Sequence, residues 1–97
     1  MDFINSLAKS TKGHDAGTIY IILECKNQKA YLYNGKTKPL SKPKLKNIKH
    51  VELLDDTELI KASKEYSDAR QKISAPSNMK DEDIRRVIKL YKKSQEI

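Results

Sequence analysis

One cysteine, Cys25, is all the chain holds, so no disulfide can form within it. No window approaches the ~18 apolar residues that a membrane-spanning helix needs. The N-terminal run Met1-Asp2-Phe3-Ile4-Asn5-Ser6-Leu7 has neither a basic region nor a long apolar stretch, as a secretory leader would. Together these absences predict a cytosolic protein. Catalytic patterns are missing as well: there is no pair of carboxylates, no nucleophile beside a base and no Gly-Lys-Ser phosphate loop. His14, His50 and Cys25 lack the short spacing of metal ligands, and a tetrahedral site would still want a fourth group. The sequence therefore predicts no enzyme, no cofactor, no metal and no small-molecule substrate. Internal repeats and low-complexity segments are absent too.

The charge is unevenly placed. Ninety-seven residues carry a net +7, and residues 1–50 hold ten lysines against Asp2, Asp15 and Glu24, while residues 51–97 are balanced at ten and ten. Solubility alone does not require such segregation, and a basic half points to phosphate, in nucleic acid or anionic lipid. The densest stretch is Lys36 to His50, with six lysines and no acid. Its prolines forbid a helix, so an extended ribbon is expected, a rail for a polyanion.

Hydrophobic periodicity divides the chain at about residue 54. Phe3-Ile4 and Leu7-Ala8-Lys9-Ser10 read as a first strand, followed by a glycine-bounded loop, Lys12 to Gly17. Thr18 to Cys25 is the clearest strand, with Ile19, Ile21, Leu23 and Cys25 on one face and Tyr20 and Ile22 on the other. After the polar turn Lys26-Asn27-Gln28-Lys29 comes the strand Ala30 to Tyr33. Asn34-Gly35 then signals a two-residue type I′ hairpin into a strand at Lys36–Leu40, and Val51 to Leu54 can close a barrel as a fifth strand. Short strands without a helical period indicate a small SH3-like barrel or sandwich. From Thr57, Leu59, Ala62, Tyr66, Ala69 and Ile73 recur at helical spacing, with Asp56 or Thr57 as N-cap. The segment around Pro76 breaks this helix. A second begins at Asp81-Glu82-Asp83, carries the stripe Ile84, Val87, Ile88 and Tyr91, and ends with Lys89, Lys92 and Lys93, as the macrodipole prefers. The expected architecture is thus mostly β plus α: a barrel over 1–54 and a two-helix extension over 55–97, with helices near 57–73 and 79–94. The helices can face one another or the second can pack on the barrel.

Two motifs carry a resemblance. Ser10-Thr11-Lys12-Gly13-His14-Asp15-Ala16-Gly17 precedes the apolar strand, and Asn34-Gly35 leads to Pro43-Lys44-Leu45-Lys46-Asn47-Ile48-Lys49-His50. In these the first 51 positions resemble the bacterial KOW-motif RNA-binding proteins related to large-subunit ribosomal proteins of archaea and eukaryotes. The segment Asp81-Glu82-Asp83-Ile84-Arg85-Arg86 is also similar to the tail of the bacterial members. Departures are His14 where the family usually has arginine, Ala16 for lysine, Asn34 for aspartate and Asn5 where an early glycine is common. The resemblance implies a KOW-type SH3-like barrel, RNA binding, and association with ribosomal RNA or the ribosome in translation.

The residues expected to meet RNA are Lys36, Lys38, Lys42, Lys44, Lys46, Asn47, Lys49 and His50 on the rail, with Lys12, Gly13, His14 and Gly17 on the loop. Lysine is a point charge suited to the phosphate backbone more than to base edges. Asp15 is expected to serve the turn, Cys25 to be an inert core thiol, and Tyr20, Tyr31 and Tyr33 to pack as core residues. Arg85, Arg86, Lys89, Lys92 and Lys93 read as an ordinary solvated helix face beside Asp81, Glu82 and Asp83. The chain is expected to act as a monomer. A competing reading is an adaptor that docks on a protein such as RNA polymerase or a ribosomal subunit protein. A peripheral membrane role lacks the apolar wedge such proteins place beside their basic cluster.

Overall fold

The strand Ile19–Lys26 is the middle of a five-stranded antiparallel sheet, in a computed structural model that describes residues 4–74 and 78–96. In chain order the strands are β1 (Ser6–Ser10), β2 (Ile19–Lys26), β3 (Lys29–Tyr33), β4 (Lys44–Asn47) and β5 (Val51–Leu54), and their spatial order is β4-β3-β2-β1-β5. The sheet curls into a half-barrel. A single 3-10 turn, Ile48–His50, carries the chain from the β4 edge to the β5 edge. Among the described residues three α-helices follow: α1 (Thr57–Ala62), α2 (Lys64–Lys72) and α3 (Asp81–Gln95).

Because side chains alternate across a strand, a doubly covered sheet needs apolar residues on both faces. The concave face holds Ala8, Tyr20, Ile22, Ala30 and Leu32, all buried, closed by Ile48 and Val51. Leu7 and Ile21 belong to the other face and share a core with Tyr66, Ala69, Ile73, Ile84, Val87, Ile88 and Tyr91 of the helical segment. The question of where the helices pack therefore has a double answer: α2 and α3 face one another, and α3 also lies against β2.

Several local expectations are corrected. The hairpin with two left-handed residues is Asn27-Gln28 (φ +52° and +64°), between the paired Lys26 and Lys29, as a type I′ turn requires. At Asn34-Gly35 only the glycine is left-handed (φ +73°). Asn34 Oδ1 accepts from the N–H groups of Lys36 (2.9 Å) and Lys38 (2.8 Å), which coils 34–38 into a side-chain-capped loop. Lys36–Leu40 is accordingly no strand, and the extended ribbon shrinks to β4. The first strand begins only at Ser6, since Ile4 and Asn5 form a turn; Phe3 lies outside the described residues. Asn5, at the position where the resemblance has glycine, takes φ +66°. A register shift between Ile22 and Glu24 moves Cys25 opposite Ala30, onto the concave side and away from the face of Ile19 and Ile21.

The helix expected over 57–73 is broken at Ser63, whose backbone is extended (φ −127°, ψ 113°). Its hydroxyl accepts from the N–H of Tyr66 (3.1 Å) and caps α2. Asp56 takes the N-cap position of α1, its carbonyl accepting from the Ile60 N–H (3.0 Å), but its side chain makes no cap bond; the side chain of Asp55 accepts from the Thr57 N–H at 3.0 Å. The Asp56 carboxylate is instead buried, accepting from the Tyr66 hydroxyl (2.5 Å) and from Arg70 Nε (2.9 Å). Burial, then that carboxylate, pushes the Tyr66 hydroxyl far above the usual phenol range. Arg70 also donates to the carbonyl of Asn5, so one guanidinium joins α2 to the start of the sheet. Pro76 lies outside the described residues. Acidic residues do open α3, where Asp83 accepts from the Lys80 N–H at 3.0 Å.

Candidate nucleic-acid interface

Residues 11–17 form a tight loop between β1 and β2. Gly13 and Gly17 both adopt φ +91°, a conformation that costs a side-chain-bearing residue about 1–2 kcal/mol. The Gly17 N–H returns to the Ser10 carbonyl (2.8 Å) and the Thr18 N–H to the Asp15 carbonyl (2.9 Å), while the Thr11 N–H bonds the carbonyl of His50 at 2.9 Å. The N–H groups of Lys12, Gly13 and His14 have no partner among the described residues and stand at the exposed tip.

A polar cluster beneath the tip fastens this loop to β4. Lys44 and Lys46 lie opposite Leu32 and Ala30, so their side chains start toward the concave face. The Lys46 amine sits 2.7 Å from Asp15 Oδ1, 2.7 Å from Ser10 Oγ and 2.6 Å from the carbonyl of Lys12. Asp15 also accepts from the Tyr20 hydroxyl (2.8 Å) and from Ser10 Oγ (3.0 Å), and Lys44 approaches it at 3.8 Å. Burial alone would raise the Asp15 carboxyl; the bonds from Lys46, Tyr20 and Ser10, with the Lys44 charge, outweigh it and hold the group well below the usual carboxylate range. Burial and the Asp15 contact push the Tyr20 hydroxyl well above its ordinary value.

The twelve sequence-derived residues thus fall into groups. Lys12, Gly13, His14 and Gly17 share one region with Lys44, Lys46 and His50, joined by the bonds just given. Within that region Lys46 is turned inward, its side chain only 10% exposed, and serves the loop. Lys12, His14, Lys42 and Lys49 are exposed and take part in no ion pair among the described residues. Asn47 spends its side-chain oxygen on the N–H of Lys49 (2.9 Å), capping the 3-10 turn. Lys38 lies in the Asn34-capped loop, and Lys36 faces a different surface, the side of α3. Tyr31 and Tyr33 are half-buried in the sheet and Tyr20 is buried.

Sequence reasoning placed Asp15 in the turn but missed its carboxylate as the anchor of two lysines. The only hint was an acid inside a basic half. No three His, Cys, Asp or Glu side chains among the described residues gather as a metal site would require, and no described helix is long and apolar enough to cross a membrane. Compared with the models of known protein families and with curated proteins, the chain matches none.

Proposed function

We propose that the chain is a non-catalytic RNA-binding protein, built as a KOW-type SH3-like barrel with helices, which grips the phosphate backbone of structured RNA, ribosomal RNA above all. The observation that carries this is the exposed loop tip, with Lys12 and unbonded N–H groups, fastened through Lys46 to β4, whose flanking segments carry the exposed amines of Lys42 and Lys49, while the loop's own acid, Asp15, is already paired with Lys46 and Lys44. Unbonded N–H groups at a glycine loop suit a phosphate oxygen, and lysines around them supply the longer-range attraction. The Asp15–Lys46 cluster supports the reading because it holds loop and strand together before any ligand arrives, which lowers the ordering cost of binding. The resemblance to KOW-motif proteins points the same way.

Anisotropy of a labelled ribosomal-RNA fragment at rising salt tests the proposal. The affinity should fall steeply with salt, and replacing Lys12, Lys42 and Lys49 together with glutamate should lower the log–log slope by about three. An affinity indifferent to salt, or untouched by the triple replacement, would refute it.

A further inference from the structure

A second basic surface lies along α3. Between α3 and the sheet runs an open groove of about 830 Å³, floored in part by Ile19 and Ile88 and bordered by Lys36, Arg85, Arg86, Lys89, Lys92 and Lys93. Only Glu82 and Glu96 border it on the acidic side. Two of the three acids that open α3 are engaged elsewhere: Asp81 accepts from the Leu40 N–H (2.7 Å) and Asp83 from Lys80. Arg85 donates to the carbonyl of Gly35, while the other five cations are in no ion pair among the described residues. A favourable helix dipole explains Lys92 and Lys93 but gives no reason for Arg86, or for Lys36 arriving from a loop fifty residues away in sequence.

We infer that this groove is a second contact for the phosphate backbone of RNA. This deepens the proposed function and rests on it. Length argues for an extended polyanion over a single phosphate. Arg85 to Lys93 covers about 12 Å at 1.5 Å per residue, longer than a single phosphate can occupy and enough to follow consecutive phosphates of a strand. Continuity argues for RNA over an acidic protein. The segment 34–42, docked on α3 through Gly35 and Leu40, runs from Lys36 in the groove to Lys42 just ahead of β4, so one short stretch of chain links the two basic surfaces.

The test uses the full chain and a fluorescein-labelled RNA duplex long enough to reach both surfaces. Replacing Arg86, Lys89 and Lys93 with glutamate should weaken binding at least about tenfold near physiological salt and reduce the salt slope by about three. The corresponding triple-alanine variant, checked for unchanged helicity by circular dichroism, should lose a smaller part in the same direction. Duplex binding at wild-type affinity and slope in the groove variants, with binding lost in the Lys12/Lys42/Lys49 variant, would overturn the groove and leave the first surface standing. A wild-type protein that binds no duplex would remove both. A labelled acidic peptide bound by the wild type and lost in the groove variants, with RNA affinity unmoved, would assign the groove to a protein and overturn the inference.

Discussion

Lys46 and Asp15 form the contact on which the candidate interface is built: amine and carboxylate meet at 2.7 Å, with side chains 10% and 16% exposed. Thirty-one residues apart in sequence, they fasten a glycine loop to an edge strand. Breaking one partner leaves the other withdrawn from water without its counter-charge, the costly case for such pairs.

Asp15→Asn should therefore cost about 1–3 kcal/mol at pH 7, allowing for the partial exposure of the pair. The sign with pH follows from the depressed carboxyl. Its stabilisation is present above the unfolded value near 3.9 and is lost as pH falls through that region and below. Urea midpoints of wild type and variant, measured from pH 7 down, should converge on acidification. A constant gap across that range would dismiss the pair as the source.

Gly35→Ala should be among the most damaging small changes. At φ +73° any Cβ is strained, and here it would run into the carbonyl oxygen of Asp81. A loss of roughly 2–4 kcal/mol is expected, with faster hydrogen exchange in the first turn of α3. An unaltered urea midpoint would show that the loop does not need to seat on the helix.

Sheet and helices should unfold together. Ile84, fully buried, shares one core with Leu7 and Ile21. Ile84→Ala should destabilise by about 2–5 kcal/mol, and amide signals of β2 and α3 should vanish at the same urea concentration. Separate midpoints would establish two independent units.

The break at Ser63 should depend on its hydroxyl. Ser63→Ala ought to cost about 1 kcal/mol, the usual worth of a helix N-cap, whereas Ser67→Ala, a serine with no side-chain hydrogen bond among the described residues, should change little. Thermal melts of the two variants make the comparison, and equal shifts would deny Ser63 its capping role.

What was readable from the sequence is what short-range pattern controls. Tyr20 and Ile22 alternating with Ile19 and Ile21 gave away a doubly covered strand, Val51 to Leu54 a further strand, and Ile84, Val87, Ile88 and Tyr91 the inward stripe of α3. The glycines at 13 and 17 marked a loop with left-handed residues. Misread features depend on partners far off in sequence or on a side chain acting locally. Asn34-Gly35 looks like a hairpin turn, but the Asn34 carboxamide captures two N–H groups and α3 holds the result in place. Leu59 to Ile73 keeps helical spacing straight through Ser63, so periodicity is blind to the interruption. The reach of Lys46 to Asp15 and of Lys36 to the α3 groove is tertiary, and charge counting gives both lysines the same weight as Lys49.

The two neighbours Leu7 and Ala8 are buried on opposite faces of β1, a large side chain against the helices and a small one inside the curl. Sliding this strand by one residue would force a leucine into the narrow interior and leave a methyl to fill the wide outer layer. Size itself thus acts as the alignment key for the strand pairings on either side. Exchanging the pair, Leu for Ala and Ala for Leu, would conserve composition, volume and hydropathy and still deny the chain its native pairing.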